Sequence, residues 1–90
     1  MLLEPILESD QKEKAYELAA LVYTELGDFE KAEKYQIAYI KSGKRNNYYG
    51  LGFLGDIRLS RGDDTGSERA YRSSLFAMIR SFDNSEEEKK

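Results

Sequence analysis

The chain contains no cysteine and no histidine among its 90 residues. Without cysteine it has no disulfides, no zinc-thiolate sites and no cysteine nucleophile. Without histidine it lacks the commonest general base and the commonest transition-metal ligand. A reaction carried out by this sequence would have to use carboxylates, lysines, tyrosines or serines, and no motif of reaction chemistry is present. We therefore expect a protein that is not an enzyme and that has no cofactor or metal.

Proline and long apolar runs are also scarce. There is a single proline, and no stretch approaches the roughly 18 apolar residues of a membrane span. The first residues, MLLEPILESD, have no basic start, and Glu4 and Pro5 interrupt their apolar run, so we expect no secretory signal peptide, no membrane association and a cytoplasmic location. The formal net charge of −3 disfavours a nucleic-acid partner, because nucleic-acid binders usually have a basic excess.

Helix start and stop signals divide the chain into four predicted helices of one small domain. Ser9 or Asp10 is the predicted N-cap of the first helix, and Gly27 ends it by adopting a left-handed conformation. Asp28 caps the second helix, which ends near residues 42–43. Apolar residues of the first helix recur at spacings of three and four, which places them on one helical face: Ala15, Leu18, Ala19, Val22 and Leu26.

The second half of the chain has the same kind of signals. Asn46 or Asn47 is the predicted cap of a third helix over residues 48–61, and Asp64, Thr65 or Ser67 is the predicted cap of a fourth over about 67–82. Residues 1–9 are predicted to form a short helix or turn, and residues 83–90 a polar, disordered tail. Glycines at 50, 52 and 55 each cost a helix about 1 kcal/mol relative to alanine, which indicates either close helix packing or room for a ligand.

The pairs Gly27-Asp28 and Gly62-Asp63 lie 35 residues apart, and the surrounding residues resemble the tetratricopeptide repeat. In the first unit the large, small, aromatic and second small positions are occupied by Tyr16, Ala19-Ala20, Tyr23 and Ala32. Gln36 departs from the pattern, because an aromatic residue is expected there. In the second unit Leu51, Leu54-Gly55 and Gly62-Asp63 fit, Arg58 replaces the tyrosine, and Ala70 fits if residues 64–66 are an insertion.

This resemblance implies an all-α fold of antiparallel helical hairpins stacked as a short right-handed solenoid, with units at about 10–43 and 46–82. It also implies a non-catalytic adaptor or scaffold that binds a helix or peptide on a concave face. The residues of this chain at those positions are Glu17, Leu21, Tyr49, Phe53 and Asp56. The alternative is that Tyr49 and Phe53 are simply core residues. Lysine and asparagine, which clamp acidic peptide tails in chaperone-binding members, are replaced by Glu17 and Leu21, so that activity is not expected.

The fourth predicted helix has an apolar stripe that is separate from its small residues Ala70, Ser74 and Ala77. A stripe of this kind marks an interaction surface when nothing covers it. A second copy, another protein and the N-terminal segment are the three candidates to cover it, and a homodimer is the leading expectation. We predict self-association through this stripe, which consists of Tyr71, Leu75, Met78, Ile79 and Phe82.

Two loops offer weaker functional alternatives. The basic residues Lys41, Lys44 and Arg45, together with Tyr48, are the basis of a second hypothesis, a small regulatory protein that binds nucleic acid. The same loop lacks the glycine and hydroxyl residue of a phosphate-binding loop. The turn at residues 62–67 lacks the length and the final glutamate of a calcium loop, so helix capping is the better interpretation of its acidic residues.

Overall fold

A computed structural model describes the backbone of residues 9–43 and 47–89 and shows four α-helices and no strand in these ranges. The helices are α1 (Ser9–Glu25), α2 (Phe29–Ser42), α3 (Tyr48–Ser60) and α4 (Asp64–Lys89). Consecutive helices pack on one another, in the order α1, α2, α3, α4. The predicted all-α class is confirmed, and a stack of two helical hairpins fits the arrangement. The predicted N-terminal helix or turn falls largely outside the described residues.

Two turns of the same geometry close the two hairpins. Gly27 and Gly62 have φ angles of +80° and +87°, in the left-handed region that glycine adopts without steric cost. In the first turn Gly27 N–H donates to the Thr24 carbonyl, and Asp28 N–H to the Tyr23 carbonyl. The second turn has the same two bonds 35 residues later, from Gly62 to Leu59 and from Asp63 to Arg58. These pairs form the Schellman arrangement, which satisfies carbonyls at a helix end.

Three side chains cap the helices that follow the turns and the loop. Asp28 Oδ1 accepts from the Lys31 N–H at 3.3 Å, and Asn47 Oδ1 accepts from the Gly50 N–H at 2.8 Å, as the sequence predicts. The cap of α4 is Asp63, which accepts from the Gly66 N–H at 2.9 Å. The prediction of Asp64, Thr65 or Ser67 was therefore wrong, because the aspartate after the glycine caps the helix in both turns.

The identical spacing of the turns also removes the insertion that was proposed for residues 64–66. Ser67 N–H donates to the Asp63 carbonyl, just as Ala32 N–H donates to the Asp28 carbonyl. Ser67 is thus the counterpart of Ala32, and both are buried. In this register Tyr71 is the counterpart of Gln36.

The first hairpin is packed through small residues at the helix crossing and tyrosines around it. Ala20 on α1 and Ala32 on α2 are fully buried. The Tyr35 ring stacks on Tyr23 with centroids 5.6 Å apart and lies 6.4 Å from Tyr16. The apolar face predicted for α1 is not its main packing face, since Leu18, Val22 and Leu26 are 50%, 54% and 71% exposed. The contact between Ala20 and Ala32 turns that face away from α2.

In the second hairpin small residues again lie at the helix crossing, with Gly55 at the position that Ala20 occupies in the first. Ala70 and Ala77 of α4 and Leu54 and Ile57 of α3 are buried. A Cβ atom at position 55 would lie 2.5 Å from the Tyr71 ring, so the absence of a side chain at Gly55 allows that ring to lie against α3. Close packing is therefore the reason for Gly55, whereas Gly50 leaves room for the Asn47 cap.

Polar contacts join the two hairpins at the α2–α3 junction. The buried Gln36 side chain donates from Nε2 to the Gly50 carbonyl at 2.8 Å. The Glu33 carboxylate accepts from Arg58 Nε at 2.9 Å and also pairs with Arg61 Nη1. Arg58 additionally donates to the Gly66 carbonyl at 3.2 Å. This charged cluster therefore ties α2 to α3 and to the first turn of α4.

The fourth helix is longer than the sequence analysis predicted. It begins at Asp64 and continues through Lys89, whereas the prediction was a helix over about 67–82 and a disordered tail. Residues 83–89 contain no proline or glycine and end in three glutamates and one lysine, which are good helix formers. The polar composition that suggested disorder is equally compatible with a helix that continues into solvent.

The fully buried Ala32 provides a direct test of the first hairpin. Replacing it with leucine adds three carbons where the exposed fraction is 0%, so we expect the free energy of unfolding to fall by about 1–3 kcal/mol. Chemical denaturation followed by circular dichroism measures this change. Lys34→Leu, at an exposed position of the same helix, is the control, and equal stability of the two variants would contradict the close crossing of α1 and α2.

Candidate functional site

An open groove lies where α1, α2 and α3 meet. Its volume is about 210 Å³, and it is bounded by residues of both hairpins. The lining residues are Glu17 and Leu21 of α1, Gln36 and Tyr39 of α2, and Tyr49, Gly50 and Phe53 of α3. The walls are therefore mostly apolar or aromatic, with one carboxylate at the edge. Concave sites of this composition typically bind a small apolar group and orient it with a few polar contacts.

At the inner end of the groove, hydrogen bonds hold the Gln36 side chain and the Gly50 backbone in place. Gln36 is only 2% exposed, and its amide is held by the carbonyl of Gly50. The N–H of the same Gly50 is held by Asn47, so both backbone groups of this residue have partners from different elements. A Cβ atom at position 50 would lie 2.7–2.9 Å from the Asn47 side chain. A larger residue here would displace the cap of α3 and disturb this part of the groove.

The outer part of the groove exposes its aromatic and apolar groups to solvent. Tyr49 is 79% exposed and Leu21 is 45% exposed, so both are available to a partner. The Tyr49 ring lies against Tyr48, with centroids 4.6 Å apart. This neighbour raises the pKa of Tyr48 above its ordinary value, first through the charge interaction between the two phenols. The Tyr48 phenol is thus a neutral hydrogen-bonding group at neutral pH.

The charge at the groove edge is partly compensated. Glu17 accepts a hydrogen bond from Lys14 Nζ at 3.3 Å, one turn earlier on α1. This pair is exposed, and exposed pairs of this spacing contribute only about 0.3–0.5 kcal/mol. A cationic group of a partner can therefore compete with Lys14 for the Glu17 carboxylate at little cost.

Four of the five residues predicted to bind a partner lie on this groove. They are Glu17, Leu21, Tyr49 and Phe53. Asp56 does not line the groove, because its carboxylate accepts a hydrogen bond from the Tyr71 hydroxyl. That bond raises the pKa of Tyr71 above its ordinary value, since the nearby carboxylate disfavours the phenolate.

Sequence analysis missed Gln36 and Tyr39, which form the α2 side of the groove. The signal for Gln36 was present, since it departs from an otherwise well-matched repeat. A polar residue that breaks a pattern at a core position needs a hydrogen-bond partner, and here the partner lies on the next helix.

The residues predicted for self-association lie along α4 and are not equivalent to one another. Tyr71 is 38% exposed because its ring lies against Gly55 and its hydroxyl binds Asp56. Leu75, Ile79 and Phe82 are 54%, 47% and 67% exposed. On another face of α4 the Ser74 hydroxyl donates to the Tyr48 carbonyl at 2.7 Å. This hydrogen bond identifies the face of α4 that packs on α3.

The other predicted sites receive no additional support from the structure. Lys44 and Arg45, central to the nucleic-acid hypothesis, lie outside the described residues, and that hypothesis stays a prediction. Over the described side chains, no group of three acidic residues is placed to hold a metal ion. No helix in the described ranges is both long enough and apolar enough to cross a membrane.

Comparison of the chain with protein-family models, with curated proteins and with solved structures finds no match. The resemblance to the tetratricopeptide repeat therefore stays an expectation that is based on the sequence pattern.

Proposed function

We propose that this protein is a non-catalytic interaction module that holds a peptide or helix of another protein in the groove between its two hairpins. The observation that supports this most directly is the convergence of Glu17, Leu21, Tyr49 and Phe53 on one open groove of about 210 Å³. Exposed tyrosine and leucine side chains at a concave site supply the large apolar contact that protein interfaces use. The chain also self-associates in this proposal, through the apolar stripe of α4.

The groove favours a particular kind of peptide. Its volume corresponds to one or two large side chains, so an aromatic or aliphatic anchor fits it better than a long extended segment. Glu17 is the charged group among the lining residues, and it favours a lysine or arginine next to the anchor. The expected partner is thus a short segment with a large apolar residue beside a basic one.

The experiment is a selection of peptides from a random phage-displayed library on the immobilised protein, followed by affinity measurement of the enriched peptides. Tyr49→Ala is expected to weaken binding of an enriched peptide by about tenfold, because a largely exposed interface tyrosine contributes on the order of 1 kcal/mol or more. Glu17→Lys is also expected to weaken binding of the peptide, with the larger effect at low salt. Neither change removes a buried contact of the fold.

The matched control is Phe76→Ala, an aromatic residue that is 58% exposed on α4 and does not line the groove. It should leave peptide affinity unchanged. Enriched peptides that bind Tyr49→Ala and Phe76→Ala equally well would rule out the groove as the binding site. Peptides that share no apolar–basic pattern would contradict the proposed partner chemistry.

A further inference from the structure

The first and last helices, α1 and α4, each have an apolar face that the described part of the chain leaves uncovered. The α1 stripe consists of Ala15, Leu18, Val22 and, one residue past the end of α1, Leu26, and the α4 stripe consists of Tyr71, Leu75, Met78, Ile79 and Phe82. Each extends over twelve residues, which is about 16 Å along a helix. In the α1 stripe the three large residues are 50–71% exposed, and in the α4 stripe Leu75, Ile79 and Phe82 are 47–67% exposed.

The α2–α3 junction shows what covers the face of α3 that is the counterpart of the α1 stripe. The repeat of 35 residues relates Val22 to Ile57 and Ala15 to Gly50. Ile57 is 1% exposed, whereas Val22 is 54% exposed. The Gly50 carbonyl accepts a hydrogen bond from α2, whereas Ala15 is exposed. The α1 stripe therefore corresponds to the face of α3 that packs on α2.

The same comparison applies to the α4 stripe. The repeat relates Tyr71 to Gln36, and Glu68 beside the stripe to Glu33. Gln36 is 2% exposed under α3, and Tyr71 is 38% exposed. The Glu33 side chain is 14% exposed in its pairs with two arginines, and the Glu68 side chain is 68% exposed. The first turn of the α4 stripe, at Tyr71, therefore corresponds to the face of α2 that packs on α3.

We infer that the α4 stripe of one copy packs on the α1 stripe of a second copy, so that contact between copies repeats the α2–α3 junction. This inference rests on the self-association proposed above and specifies its geometry, and the groove takes no part in it. Such a contact is head-to-tail and leaves one stripe free at each end. It therefore builds open chains of copies, whereas a contact between two α4 stripes would stop at a closed dimer.

Charge favours the head-to-tail contact over pairing of two α4 helices. Between residues 68 and 82, α4 has three arginines and one glutamate, whereas α1 has three glutamates and two lysines between residues 11 and 25. Over these two stretches, pairing of two α4 helices would bring net charges of +2 together, whereas an α4–α1 contact brings +2 and −1 together. The apolar residues supply the attraction in both cases, and the charges beside the stripes favour the α4–α1 contact.

Two substitutions separate the possible geometries. Val22→Glu places a charge in the α1 stripe, and Ile79→Glu places one in the α4 stripe. Both residues are about half exposed, so each variant should keep the wild-type helix content and melting temperature in dilute solution. Light scattering over a dilution series from micromolar to millimolar should show a wild-type mass that grows beyond twice the monomer, and monomers for each variant alone.

The decisive sample is a mixture of the two variants. Val22→Glu keeps an intact α4 stripe and Ile79→Glu keeps an intact α1 stripe, so one copy of each should join. The mixture should therefore double its mass and grow no further. Leu59→Glu, a charge at an exposed position of α3 in neither stripe, is the control and should assemble like wild type.

The other outcomes overturn the inference in recognisable ways. A Val22→Glu variant that still dimerises while Ile79→Glu is monomeric would show pairing between α4 stripes, which retains self-association and removes the head-to-tail contact. Monomeric wild type at every concentration would remove self-association itself and assign the stripes to another segment or another protein. Neither result affects the groove, which is tested by peptide binding.

Discussion

Replacement of Ile57 by alanine is expected to lower the free energy of unfolding by about 2–4 kcal/mol. Ile57 is 1% exposed and is the largest apolar side chain that is completely buried among those the structure describes. Of the six apolar residues that are buried in this part of the chain, four are alanines, so few large side chains fill the described interior. The loss of three carbons at this position leaves a cavity that the surrounding helix backbones cannot close without moving toward each other.

Urea denaturation followed by circular dichroism measures this loss. For a domain of this size the expected decrease in melting temperature is roughly 10–25 °C. Val22→Ala is the matched control, because Val22 is the counterpart of Ile57 in the first unit and is 54% exposed. Measured in dilute solution, where copies are separate, Val22→Ala should cost less than about 1 kcal/mol. Similar losses for the two variants would contradict the burial of Ile57 at the junction.

Replacement of Glu33 by alanine is expected to cost about 2–3 kcal/mol. The Glu33 side chain is 14% exposed and pairs with Arg58, which is 21% exposed, and with Arg61. Removing the carboxylate leaves the Arg58 guanidinium partly desolvated with only the Gly66 carbonyl as a partner. Breaking a fully buried pair costs about 3–5 kcal/mol, and the partial exposure here reduces that value.

The control for Glu33 is again its counterpart 35 residues later. Glu68 pairs with Arg72 at 3.3 Å, but both side chains are more than 60% exposed. Glu68→Ala should therefore change stability by no more than about 0.5 kcal/mol. Glu33→Gln, which keeps the shape and removes the charge, should lose most of what Glu33→Ala loses. If Glu33→Gln is as stable as wild type, the cluster is held by packing and not by charge.

The sequence predicts the turns well because their cause is local. Gly27 and Gly62 are required by a left-handed backbone, and an aspartate directly after each glycine caps the next helix. The cap of α4 was misassigned because three further polar residues follow Asp63, and composition alone does not rank them. Adding 35 to the position of Asp28, the cap after the first turn, gives Asp63, which is the cap that the structure shows.

The direction in which α1 faces could not be predicted from its large apolar residues. Leu18, Val22 and Leu26 form a regular stripe, but periodicity shows only that they share a face and not what covers it. The helix crossing selects Ala20 and Ala32 because small residues allow close approach. The groove was predicted on its α1 and α3 sides through a family resemblance, and its α2 side was missed because Gln36 acts through a contact with a distant backbone carbonyl.

The groove has one wall in each hairpin, and this has a mechanical consequence. Glu17 and Leu21 belong to the first hairpin, and Tyr49 and Phe53 to the second, while a hydrogen bond and a charged cluster hold the two together. An occupant of the groove acts as a brace across that joint, because it loses contacts on one side whenever the hairpins separate. Binding therefore stabilises the closed joint. For an occupant that needs both walls, amide exchange at the α2–α3 joint should slow by a factor of 1 + L/Kd, where L is the free concentration of the occupant.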